Sequence, residues 1–185
     1  MKNKENIVIS LKYLFIAIAI NLITVLLHEI GHAFIYWLQG YSMDFHLTSV
    51  EAINGTETIL GAAGGILLNI IIASLFLFLF IRYKSIYLFS VVAANTLFVR
   101  IIVYILGLLR GIAPTDETFI GDAMSVNPVI IAILGLIIMT SIFISGVKVL
   151  IRANKKDYSK LILVMTFISS IVSLFILISL EKKGI

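Results

Sequence analysis

Apolar residues fall into five long runs separated by short polar stretches. Crossing a hydrocarbon core of about 30 Å takes about 20 helical residues. The runs predict membrane-spanning helices over about 9–38, 59–81, 86–109, 129–150 and 161–180. At 1.5 Å per residue the first would be roughly 45 Å long, so it tilts, bends or projects. Tyr36 and Trp37 near its end suit an interfacial belt, and Gly40 is its expected stop. Residues 41–57 break the pattern. Phe45, Leu47, Val50 and Ile53 hint at alternation and Asn54-Gly55 at a turn, which predicts a short hairpin or extended segment. Small residues at Gly61-Ala62-Ala63-Gly64-Gly65 open the second run, where another backbone can approach closely. Asn69 lies on the face of Gly65, one turn on. Pro128 stands at the start of the fourth run, a position where proline is tolerated.

Composition agrees. Of 185 residues, 61% are hydrophobic and 13% charged, outside the range of soluble domains. The expectation is one membrane-embedded domain over 1–185, an all-α polytopic protein with a short extended segment after its first helix. The absence of cysteine excludes disulfides, thiolate metal sites and cysteine nucleophiles. The net charge of +4 is no sign of nucleic acid, because the lysines and arginines sit mostly at the ends of apolar runs. Their distribution predicts a cytoplasmic N-terminus, with the 41–57 and 110–127 segments outside; Lys182 and Lys183 point mildly the other way. Ala17-Ile18-Ala19 resembles a signal-peptidase site, but the apolar run continues past it, so an uncleaved first span is expected. In either orientation the end of span one, the start of span two, the end of span three and the start of span four share one side.

That side carries the chemistry. His28-Glu29-Ile30-Gly31-His32 is an H-E-x-x-H motif holding two of the chain's three histidines. Two histidines four residues apart project from one helix face and suit a tetrahedral ion, for which zinc is expected. Glu29, about 100° round the helix, reaches a water on that ion and serves as general base. Polar groups in an apolar helix need such a reason. Asn21 and Thr24 continue the face, as interhelical contacts. Arg100 lies about nine residues before the end of its span, and an intramembrane arginine is functional, snorkels to the interface or makes a structural pair. A third ligand must come from elsewhere. His46, Asp44, Glu51, Glu57, Asp116, Glu117 and Asp122 all qualify, and spacing does not choose among them.

With the motif in a membrane helix, a Gly-rich opening of the next span through Asn69 and a distant aspartate, the sequence resembles the site-2 protease family of intramembrane zinc metalloproteases. The Leu-Asp-Gly or Asn-Pro-Asp-Gly setting of that family is missing here. Gly121-Asp122-Ala123 before Asn127-Pro128 is more similar to a compact branch without appended domains. The resemblance implies Asp122 as third ligand, with Asp116 in reserve. It also implies that 41–57 pairs with an unwound strand of a membrane-protein substrate, a β-addition mode of recognition. Asn69, Arg100 and Gly65 are expected around substrate or ligands. The expectation is thus a zinc peptidase of a prokaryotic cell membrane, cleaving near the bilayer boundary. Two other classes stay open: a metal transporter with a His28/His32 transit site, and a non-catalytic zinc scaffold.

Overall fold

The computed structural model describes residues 2–46, 49–53, 57–109, 115–154 and 156–181, with backbone alone at 2–10, 108, 115, 156 and 181. The helices are α1 (Lys2–Leu38), α2 (Ile59–Tyr83), α3 (Ile86–Leu109), α4 (Thr115–Met124), α5 (Pro128–Ala153) and α6 (Lys156–Glu181), with strands β1 (Ser42–Phe45) and β2 (Val50–Ile53) between the first two. All but α4 are long and apolar enough to cross a membrane. Their outer faces agree: Ile130, Ile133, Leu134, Ile137 and Ile138 of α5 are all exposed, an apolar surface that suits lipid rather than water. The Met1 and Lys182–Lys183 ends lie outside the described residues.

Local signals set the ends. α1 stops at Gly40, whose φ of 81° is left-handed, with Gly40 N–H bonded to Trp37 O and Tyr41 N–H to Tyr36 O. These are the two bonds of a Schellman cap. Thr58 caps α2, accepting from Gly61 N–H at 3.0 Å. Asn127 caps α5, accepting from Val129 N–H at 2.9 Å, with Pro128 in the first turn. The predicted hairpin is present and antiparallel, pairing Ser42 with Ile53 and Phe45 with Val50. It reverses between His46 and Ser49, ahead of the Asn54-Gly55 pair, which lies outside the described residues.

α1 packs against α2 and α6, and α5 closes the far side against α3. A cluster of Tyr13, Phe80, Phe89, Leu150 and Ile162 fills one end of the bundle. At the other end α1 and α2 come close enough to touch backbones: a Cβ on Gly31 would stand 2.6 Å from the Gly64 carbonyl oxygen. Two departures from the sequence reading occur on the site side. The middle of α3, Ala94–Ile101, is π-helical, and part of the polar 110–127 stretch is the helix α4.

Candidate metal centre

His28 and His32 face α2 from one side of α1, both buried, at 8% and 6% exposure. Each ring is held from behind. His32 Nδ1 lies 2.8 Å from the Gly61 carbonyl oxygen, which can only accept, so Nδ1 carries the proton and Nε2 points its lone pair forward. Asn69 does the same for His28. Its amide nitrogen is 3.3 Å from His28 Nδ1 and its amide oxygen has no partner. Turning the amide end for end gives Nδ1–H an acceptor and leaves His28 Nε2 forward as well. Outer-nitrogen bonding of this kind orients ligating histidines.

The third corner is Asp116. Its Oδ2 lies 3.3 Å from His28 Nε2 and 3.6 Å from His32 Nε2, and the two Nε2 atoms are 3.1 Å apart. Ligand atoms about 2.0–2.1 Å from a tetrahedral ion stand about 3.3 Å from one another, so the triangle has the size such an ion needs. Together His28, His32 and Asp116 form a group able to hold a metal. Burial by itself would raise the Asp116 carboxyl. Its contact with His28 and the Arg100 charge outweigh burial and hold it well below the usual carboxylate range. It is ionised at neutral pH, the form in which a carboxylate could hold a metal.

The resemblance pointed to Asp122 with Asp116 in reserve, and it is Asp116 that the structure brings to the histidines. Asp122 is exposed on α4. Six residues on from Asp116, it lies about 120° round the helix, turned off the face that meets the histidines. No helix was expected in the polar 110–127 stretch, and only a helix separates the two aspartates by direction. His46 is 3.7 Å from Asp44, with both side chains more than half exposed, so neither joins the site. Glu51 and Glu57 line its approach instead.

Gly65 and Glu117, both named as candidates from the sequence, take roles that only the packing shows. Gly65 is more than a packing residue, since a Cβ there would collide with both histidine rings, reaching 2.5 Å from His32 Nε2. Glu117, fully buried, accepts from the Tyr104 hydroxyl at 2.5 Å and lies 3.5 Å from Arg100 Nη1. Reading 115–124 as a helix would have flagged it, since Glu117, Ile120 and Gly121 then share one face.

A cavity of about 230 Å³ opens onto the group, lined by Glu29, His32, Asp116 and Tyr36, by Ser49, Val50 and Glu51 of the hairpin, and by Phe119 of α4. Glu29 is 7% exposed and makes no hydrogen bond to any described residue. No family model, curated protein or solved structure matches the chain.

Proposed function

We propose that the chain is an intramembrane metalloprotease that hydrolyses a peptide bond of a membrane protein, with zinc at His28, His32 and Asp116. Two imidazoles and one carboxylate, with a cavity on the fourth side, suit a zinc ion that keeps an open position. When bound, the ion lowers the pKa of a coordinated water and polarises a carbonyl.

The residues of the chain do the rest. Gly61 and Asn69 fix the tautomers of the histidines. Glu29 takes the proton of the attacking water and delivers it to the leaving amine, so its carboxylate serves first as base and then as acid. β2 supplies cavity-lining residues and belongs to a hairpin of only two strands. An unwound substrate segment laid along β2 gains backbone hydrogen bonds and brings its carbonyls past the histidines. A transmembrane helix has to expose its backbone before hydrolysis, and such a strand compensates the helical bonds it loses.

The observation that carries this reading is Glu29, buried in the wall of the same cavity as the ligand group and bonded to nothing described. Glu29→Gln keeps the size of the side chain and removes the base. Its bound zinc is expected to equal that of the parent, while cleavage of a reporter transmembrane substrate falls by about 100-fold or more. Normal cleavage by this variant would sink the mechanism.

A further inference from the structure

Arg100 is 3% exposed within an apolar helix, where an arginine is costly without a task. The π-helical stretch brings it there: apart from Val99, every residue from Ala94 to Ile101 is buried. Holding α4 against α3 accounts for only part of the way it points, because Arg100 also reaches His28 of α1 at 2.8 Å. For that purpose the guanidinium would meet Glu117 fork to fork, as arginine–carboxylate pairs do. Instead Arg100 Nε and Glu117 Oε2 have no partner, and the nearest Arg100–Glu117 contact is 3.5 Å. The short contacts run past Glu117 to two corners of the ligand triangle: Nη2 is 2.9 Å from Asp116 Oδ2 and 2.8 Å from His28 Nε2.

Resting on the hydrolase reading, we propose that Arg100 is a positioning residue whose charge is set against the metal. It holds Asp116 in the triangle and keeps part of that carboxylate's charge from the ion. Two consequences follow. A fixed positive charge one hydrogen bond from the ligand atoms repels a divalent cation, so Arg100 lowers affinity. A carboxylate shared with a guanidinium donates less, so the ion polarises a carbonyl more strongly, and the rate rises. An arginine that only anchors α4 would raise affinity and rate together.

The signs therefore separate the two roles. The full-length chain in detergent, as wild type, Arg100→Gln and Arg100→Lys, is titrated with Zn2+ against a chromophoric chelator, melted, and assayed on a transmembrane reporter. Arg100→Gln is expected to bind Zn2+ about tenfold more tightly or better. Its kcat should fall by about 100-fold with KM little changed. Arg100→Lys, which restores the charge without the fork, should return the affinity toward wild type and recover part of kcat. Weaker zinc binding by Arg100→Gln, alongside a lower melting temperature, overturns the proposal, and so does failure of both variants to fold. Affinity is read without substrate, so a chain that binds zinc more tightly as Arg100→Gln yet never cleaves a peptide would defeat the hydrolase reading and leave the charge role of Arg100 standing.

Discussion

α1 buries polar side chains at two levels, and the two are built differently. Toward its N-terminal side, Tyr13 bonds Thr166 at 2.8 Å, and Asn21 reaches Ser173 at 3.2 Å and Ser169 at 3.4 Å on α6. Thr24 turns back to the Ile20 carbonyl. Every group in this seam is uncharged, and none is among the buried polar atoms that lack a partner. Two turns further on, His28, Glu29 and His32 meet Arg100, Asp116 and Glu117. Here Arg100 Nε and Glu117 Oε2 are left unpartnered, and Asn95 Oδ1 follows in the same π-helical stretch as Arg100. Leaving a buried polar group unpaired costs about 1–3 kcal/mol. α1 therefore meets fully satisfied partners at the first level and, at the second, partners on α3 and α4 with polar atoms left over beside the group that could hold a metal.

The largest test of that contrast is Asp116. Asp116→Ala removes a corner of the triangle. Changes to groups that merely support a ligand weaken metal binding by about 10–100-fold, so loss of the ligand should exceed that range and abolish cleavage. Asp122→Ala, on the exposed face of the same helix, should leave bound zinc at the wild-type level. Zinc content of the two purified variants reads the difference directly. Retention of zinc by Asp116→Ala with loss in Asp122→Ala would place the ion elsewhere.

Next in size is Gly65→Ala, which sharpens the contrast because it adds one methyl group and removes no polar atom. That methyl collides with both histidine rings. Overpacking of this kind costs about 1–3 kcal/mol. Displaced rings should also lose about 10–100-fold in zinc affinity. A chelator titration showing unchanged affinity would mean that the rings have room to move.

The readability of each part from sequence follows from the range of the forces that set it. Span lengths answer to bilayer thickness, and the caps at Gly40, Thr58 and Pro128 to a few neighbouring residues. His28 and His32 are a turn apart on any helix. Asp116 was not singled out in the same way. It depends on 115–124 being helical and on the rotation of that short helix against α2 and α5, a packing outcome that no local pattern encodes. Arg100 stood out by its depth, but its aim at Asp116 rather than Glu117 comes from a π-helical turn whose hydrogen bonds the sequence does not announce. Gly65 was expected near substrate or ligands, but that its missing side chain makes room for both histidine rings is a packing outcome that the small-residue stretch does not encode.

The smallest effect belongs to the seam. Asn21→Ala deletes its bonds to Ser169 and Ser173, both neutral and both made inside the bundle. Hydrogen bonds between membrane helices contribute on average about 0.6 kcal/mol, because the separated helices find other partners. Asn21→Ala should therefore lower the melting temperature slightly, with zinc binding and cleavage at wild-type levels. His28 lies two turns further along the same helix, so rigid transmission along α1 is the competing expectation. It predicts that loosening α1 from α6 shifts His28 away from Asp116 and weakens zinc binding along with stability. A chelator titration beside a thermal melt decides between them: affinity that falls together with the melting temperature makes the seam part of the site, and affinity that holds while the melting temperature drops shows that α2 alone, through Gly61, Asn69 and Gly65, sets the histidines.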